Sequence, residues 1–561
     1  MNKISNHINA GLLACMFCFA ACSKSGGSTT TPPPPVLPVA LKSIYLNNVS
    51  FTNTTYNING TPLIKVQFSQ PVLQSSVSAS VTLTGGGGTV QLTTGFLNND
   101  SVVTFQPAAS LKYLARYTFA ITTALQSKAG GHLISNVQEV FYTQIDSTDK
   151  FPQLSDSALL TLVQQQTFNY FWNFGHPVSG MARERTSSND VVTTGGSGFG
   201  IMSMLVGVQR NFITRADALT RIDTIVSFLT HKVTRYHGAF PHWINGSTGA
   251  TVPFGTEDDG GDIVETSYMI QGLLCARQFF NSNTDSNEIR LRNSINSISD
   301  SVQWNWYRQN NQNVLTWNWS PQYNWSINVQ VSGWDEALIT YVLAASSNTP
   351  SNRIPKIVYD NGWAGNGAMK NGKTFFGVNL PLGPDYGGPL FFAHYSFLGI
   401  NPQNLSDAYA DYWTQDTAHA TINYLYCVNN PNHNFGYSNL CWGLTASDIQ
   451  GGYTASSPTN DVGVIAPTAA IASLPYTPVQ SMNALRFFYY KLGDRIWGPY
   501  GFIDAFNLNN LWFDSDCLAI DQGPEIVMIE NYRSGLLWNL FMSCPEVKTG
   551  MKNLGFTSPN L

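Results

Sequence analysis

Apolar and polar positions follow two different periods along this chain. Between residues 41 and 145 the runs 63–68, 80–83, 102–105 and 117–121 alternate apolar and polar residues, as half-buried strands do, and Asn59-Gly60 and Gly85 to Gly88 mark turns. Several short strands in so small a span predict an all-β, immunoglobulin-like sandwich over residues 40–146. No catalytic constellation stands out in it, so it reads as a spacer. After Asp149 the period lengthens. Leu159, Leu160, Val163, Phe168, Phe171 and Trp172 fall on one face of a helix. Further helices are predicted over 199–208, 216–233, 265–280, 286–306, 336–345, 406–428, 466–473, 482–492 and 526–542. Long loops rich in Gly, Asn, Trp and Tyr separate them. The pattern predicts an all-α domain over residues 154–561, its helices paired into an α/α barrel whose loop end offers a wide cleft.

The first residues change the picture of where the chain works. Lys3 precedes an apolar run from Gly11 to Phe19, then Ala20-Ala21 and Cys22. This is the layout of a signal peptide over residues 1–21, too short to span a bilayer as a helix. Phe19-Ala20-Ala21-Cys22 resembles a bacterial lipobox, with Phe19 where leucine is usual, and so implies lipidation of Cys22 and a membrane anchor. Residues 22–39, rich in Ser, Thr and Pro, read as an extended tether. An exported lipoprotein is expected, periplasmic or anchored at the outer membrane or cell surface. The cysteines beyond Cys22, namely Cys275, Cys427, Cys441, Cys517 and Cys544, are odd in number and widely spaced. They predict buried free thiols rather than a zinc site or a disulfide framework.

Composition narrows the chemistry. Only 11% of the 561 residues are charged, 13% are aromatic, and the net charge is -5. So weak a charge argues against nucleic acid as partner. Abundant rings with few polar groups suit a cleft in which sugars stack, although most such rings in any chain are core.

In a chain with few charges, clustered acids are candidates for the paired carboxyls of glycoside hydrolysis. The first cluster runs from Thr256 to Thr266 and holds Asp258, Asp262 and Glu265. Asp262 and Glu265, one turn apart ahead of an apolar run, fit helix capping as well as catalysis. A helix start favours ionised carboxylates, which suits a base or a hydroxyl acceptor. The run lacks the spacing of a calcium loop. Glu336, beside Trp334 at the head of an apolar helix, has the setting of a general acid with a raised pKa; a helix-start acid is the plainer reading. A third group includes Asp504, Asp521 ahead of a Gly523-Pro524 turn, and Glu530 and Arg533 spaced as an ion pair. His242-Trp243 and His394-Tyr395 set histidines among rings, as structural groups or as subsite walls.

Taken in order, Asp258 to Ser267, Gly333-Trp334-Asp335-Glu336, Tyr341 to Ser347, Trp442 to Asp448, Ala466 to Ala469 and Asp521 to Pro524 resemble the bacterial glucoamylase-like domain. Within it they resemble glycoside hydrolase family 144, the endo-β-1,2-glucanases. The resemblance implies an (α/α)6 barrel that cleaves linear β-1,2-glucan with inversion, without metal or cofactor. It implies Glu336 as acid, Asp521 as the base acting on water, and the Asp258, Asp262 and Glu265 run at the site. Asp262 is thus expected to be catalytic. Asp258, Glu265, His242, Trp243, Trp334, His394, Tyr395, Trp442 and Asp504 are expected to bind substrate. Asp335 departs from the asparagine of relatives. Exo release of sophorose, hydrolysis of another glucan, and a non-catalytic glycan-binding lipoprotein are the alternatives.

Overall fold

A computed structural model describes residues 36–561. The signal peptide, Cys22 and most of the expected tether lie outside the described residues.

The N-terminal part is built from β1 (Leu41–Leu46), β2 (Val49–Ser50), β3 (Thr55–Ile58), β4 (Ile64–Phe68), β5 (Val81–Gly85), β6 (Gly88–Val90), β7 (Leu92–Leu97), β8 (Val102–Pro107), β9 (Arg116–Ile121) and β10 (Val137–Thr143), with a short helix α1 (Gln74–Ser80). They form two five-stranded sheets, in the orders β2-β1-β4-β8-β7 and β3-β10-β9-β5-β6. The period of two has its physical cause here: Ile64, Val66 and Phe68 of β4 point inward, and Phe105, Phe119 and Phe141 meet them from other strands. Tyr56 ties this layer to the helical part, stacking on Tyr142 and Phe435 and donating its hydroxyl to the Asn509 carbonyl.

The helical part comprises α2 (Asp156–Trp172), α3 (Thr194–Gln209), α4 (Arg215–His231), α5 (Ile263–Phe279), α6 (Ser286–Asp300), α7 (Leu338–Ser346), the one-turn α8 (Lys356–Val358), α9 (Tyr412–Asn429), α10 (Pro467–Ala472), α11 (Pro478–Ile496), α12 (Ala519–Ser534), α13 (Leu536–Met542) and α14 (Pro545–Leu554). Helices α3, α5, α7, α10 and α12 are buried on nearly every face. More amphipathic helices, such as α4, α6 and α11, pack outside them. Among the described residues no helix is long and apolar enough to cross a membrane.

Three helical expectations need correction. The segment 286–306 is two elements: α6 stops at Asp300, and a 3-10 turn takes up Trp304–Arg308. The segment 406–428 starts only at Tyr412, where the Asp411 side chain accepts from Thr414 N–H. The last segment breaks at Gly535, left-handed at φ 70°, and begins at Ala519. Gly523-Pro524 is therefore helical, not a turn. Gly523 is required because a Cβ there would lie 2.4 Å from Phe199 Cβ on α3. Glu530 pairs with Arg210 at 2.7 Å rather than with Arg533, which donates to Thr161 and Gln164. The five cysteines are buried free thiols.

The tightest crossing is between α3 and α5. A Cβ on Gly272 would stand 2.1 Å from the Gly198 carbonyl oxygen, and one on Gly198 would stand 2.2 Å from the Tyr268 carbonyl. Backbone cannot yield as a flexible side chain does. Gly272→Ala is expected to cost about 2 kcal/mol or more of stability by overpacking. Gly88→Ala, whose added methyl meets nothing within 4 Å, is expected to cost much less. Calorimetric unfolding of both variants checks this; equal losses would contradict it.

Candidate active site

The α3–α5 crossing brings the starts of the two helices together. Glu265, in the first turn of α5, places its Oε2 at 2.6 Å from Gly195 N–H and 3.4 Å from the Thr193 hydroxyl, at the start of α3. Those unpaired N–H groups favour an anion. Asp262 is the N-cap of α5. Its Oδ1 accepts from Val264 and Glu265 N–H at 2.9 and 2.8 Å, and its Oδ2 accepts from His242 Nδ1 at 3.0 Å and Trp317 Nε1 at 3.2 Å. Fully buried and with four donors on two oxygens, Asp262 anchors its neighbours and leaves the cleft wall to them.

His242 lies between two acids, with Nε2 at 4.0 Å from Glu265 Oε1. Burial alone would lower its pKa. Glu265, the hydrogen bond from Asp262 and the charges of Asp262 and Asp258 outweigh this and hold it at about 9. Glu265 is itself raised, by burial first and by Asp262, against the pull of His242. Asp258, which accepts from Asn318 at 3.1 Å, is pushed up to about 6 by burial and then by Asp262.

These groups border a cavity of about 430 Å³. His242, Glu265 and Trp317 line one part of it, with Trp243 and Phe254, which stacks on His242 at 4.2 Å. Tyr268, Tyr395 and Phe391 line another. Glu336 opens into the same space from the turn before α7. In that turn Asp335 Oδ1 accepts from Ala337 N–H at 2.8 Å, and burial raises the Asp335 pKa to about 7. Glu336 forms no ion pair among the described residues. Burial, then the charges of Asp335, Glu265 and Asp262, hold it well above the usual carboxyl range. Ser396 Oγ fixes its backbone by donating to the Glu336 carbonyl at 2.5 Å.

Of the expected site residues, the structure thus brings Glu336, Glu265, His242, Trp243 and Tyr395 to one cavity, with Asp262 and Asp258 behind them. Asp521 and His394 are set deeper. Both border a small space beneath Phe391 and Tyr395. Burial pushes Asp521 up to about 7, with neighbouring Asp504 opposing the shift. Asp504, also buried, accepts from Asp448 N–H at 2.7 Å. His394 meets Ser473 Oγ at 3.0 Å, and burial drives its pKa down to about 3, so it is neutral. Trp334 and Trp442 do not reach the cleft and are corrected to core. Trp334 stacks against Phe397 and Tyr412, and Trp442 is wholly buried against Tyr424.

Sequence reasoning missed Arg185, Glu184, Phe254, Tyr268, Trp317 and Tyr453 in the cavity wall. Arg185 donates to both oxygens of Asp448 at 3.0 and 2.7 Å and to Glu184. This pins the hairpin Ala446–Ile449/Gly452–Ala455, which carries Tyr453. The alternation Arg183-Glu184-Arg185 in a weakly charged chain was the available signal. Among the described residues two groups have metal-type donors, His242-Asp258-Asp262 and Asp448-Asp504-Asp514. In the first, His242 and Asp262 already bond to each other, and Asp258 to Asn318.

Comparison with known proteins follows the same two parts. The Glycoamylase family model matches residues 328–545 and the bacterial Ig-like domain model matches 43–143. The chain is 42% identical over 482 residues to the exo β-1,2-glucooligosaccharide sophorohydrolase (non-reducing end) of Parabacteroides distasonis; the match covers 81% of this chain and 66% of that protein, just under two thirds of its length. The endo-β-1,2-glucanase of Chitinophaga pinensis, solved with sophorotriose and glucose, is 50% identical, with a TM-score of 0.71 over 73% of this chain and 100% of that one. A β-1,2-glucanase structure from Parabacteroides distasonis is 35% identical, with a TM-score of 0.69, covering 94% of this chain and 74% of that one.

If Asp262 loads a proton onto His242, Asp262→Asn is expected to lower the His242 titration midpoint from about 9 toward 6.5. The amide oxygen still accepts from the helix N–H groups, so the cap is kept. NMR titration of the imidazole reads this; an unmoved midpoint would contradict it.

Proposed function

The chain belongs to the bacterial glucoamylase-like family, and within it to glycoside hydrolase family 144, behind a bacterial Ig-like domain; from that premise we propose that its helical domain hydrolyses β-1,2-glucan. The observation that carries the reading is Glu336, an unpaired carboxyl opening into an aromatic-walled cavity with its pKa held high. A carboxyl that keeps its proton at neutral pH can give it to a leaving glycosidic oxygen.

In this reading Glu336 is the general acid. Phe391, Tyr395, Trp243 and Phe254 hold the sugar faces, and His242, charged at neutral pH, and Glu265 bind hydroxyls. Asp521 receives the proton of the attacking water at one remove, from beneath Tyr395. Its pKa of about 7 is the value a base at neutral pH needs. Inversion follows if water attacks opposite Glu336. The largely buried helices α3, α5, α7, α10 and α12, with the 3-10 turns Leu390–Ala393 and Ser396–Leu398, support an (α/α)6 barrel.

We favour endo cleavage, as in the Chitinophaga pinensis relative. Release of sophorose from the non-reducing end is the second reading, favoured by the Parabacteroides distasonis relative. The lipobox-like motif supports an anchor at Cys22, with the β-sandwich holding the cleft clear of the membrane.

Incubation with β-1,2-, β-1,3- and α-1,4-glucans, with product sizing and anomer analysis, tests the function. A ladder of β-1,2-oligosaccharides supports endo action and sophorose alone supports exo action. No product from any glucan overturns hydrolysis in favour of a glycan binder. Glu336→Gln is expected to lower kcat/KM on β-1,2-glucan by on the order of 10²–10⁴. In the parent enzyme, activity should fall as pH rises through the Glu336 pKa, because the acid form is lost. Intact turnover in the variant would remove Glu336 as the acid.

A further inference from the structure

A second cavity, of about 370 Å³, shares no lining residue with the cleft. Trp306 and Trp325 line it together with Asn305, Asn310, Asn311 and Ser351, and no Asp, Glu, Lys or Arg does. A wall without charge offers nothing to select an ion. One crowded with amides and a hydroxyl is too polar for an apolar ligand.

The aromatic part is pre-formed. Trp306 stacks on His237 at 3.4 Å and 10°, meets the edge of Trp319 at 5.3 Å, and lies 4.7 Å from Trp325. The polar part is committed only in part: the side chains of Asn305, Gln303 and Asn352 bond to Arg308, His237 and the Asp300 carbonyl, whereas among the described residues those of Asn310, Asn311 and Ser351 make no hydrogen bond. Gln309, Asn310 and Asn311 are consecutive left-handed residues, at φ 42°, 65° and 61°. The loop is not slack, since Arg308 donates to the carbonyls of Gln312 at 2.8 Å and Asn311 at 2.9 Å. Indole surface beside amides left free to bond matches one ligand chemistry: a sugar ring, whose C–H face lies on the ring while its hydroxyls meet the amides.

The cavity is also linked to the cleft. The segment Trp317 to Trp319 gives Trp317 to the cleft and Trp319 to the Trp306 stack, and Asn318–Trp319 pairs with Gly261–Asp262. We infer that this cavity is a second saccharide-binding site, which holds a neutral glycosyl unit of a long glucan away from the bond being cut. The choice of β-1,2-glucan as that glucan rests on the proposed function; the neutral-sugar chemistry does not.

The test uses the full chain. Trp325→Ala, and separately Asn311→Ala as a variant with no buried contact to lose, are placed in the inactive Glu336→Gln background. Affinity electrophoresis then measures binding to long β-1,2-glucan, where each is expected to bind about tenfold more weakly, the loss of one good ring or amide contact. In the active enzyme the same substitutions should leave kcat/KM on a short β-1,2-oligosaccharide unchanged and lower it on the polymer. Unchanged polymer binding in both variants overturns the site, and so does an equal loss on short and long substrates. If the parent binds no β-1,2-glucan, it is the proposed function that fails. Gels containing β-1,3- or α-1,4-glucan then decide the cavity: weaker binding by the variants supports it, and no difference from the parent overturns it.

Discussion

Two glycines, Gly198 and Gly272, let the backbones of α3 and α5 touch where any side chain would hold them apart. The consequence is felt one or two turns away. With the helices so close, the Glu265 carboxylate of one reaches the N–H of Gly195 on the other, and the Asp262 cap sits beside it. Two acids fixed at the joint start of two helices then require a positive partner. His242 supplies it, gripped through Nδ1 by Asp262. The cleft wall is in this sense an effect of helix packing, since moving either helix by a methyl group would separate the charges that orient the histidine.

The same geometry divides the acids into two kinds. Those near His242 are compensated by hydrogen bonds and charge. Glu336 is not, and it faces a cavity walled largely by rings with the negative charges of Asp335 and Glu265 nearby. In such a place the neutral acid is the cheaper form. Asp504 and Asp521 sit together beneath the cleft, each raised first by burial. A chain with few charges thus keeps acids in three settings within one domain: beside a histidine, in a cavity wall without a partner, and next to another acid at depth.

How much of this was legible beforehand depended on whether the controlling physics was local. The sandwich strands followed from period two, because each strand buries one face against the opposite sheet. Helix cores followed from their apolar runs, yet their ends did not: Asp411 and Gly535 set boundaries through caps, and Gly523-Pro524 looked like a turn because nothing in the chain discloses that Phe199 presses on that glycine. The acidic run and Glu336 were visible as acids among rings. Their division of labour was not, since it depends on Arg185, Asp448 and His242 arriving from distant segments. Trp334 and Trp442 stand in motifs that suggest the cleft, yet both are core. An aromatic residue next to a functional one in sequence can point the other way.

Acid catalysis by Glu336 requires it to be a neutral acid at neutral pH in the resting protein. Infrared difference spectroscopy between the parent chain and Glu336→Gln, at neutral pH and without substrate, reads that state directly, because other buried acids cancel in the difference. The substitution is expected to remove a protonated-carboxyl C=O stretch. Loss of ionised-carboxylate bands alone, with no change in the protonated-carboxyl region, would contradict it.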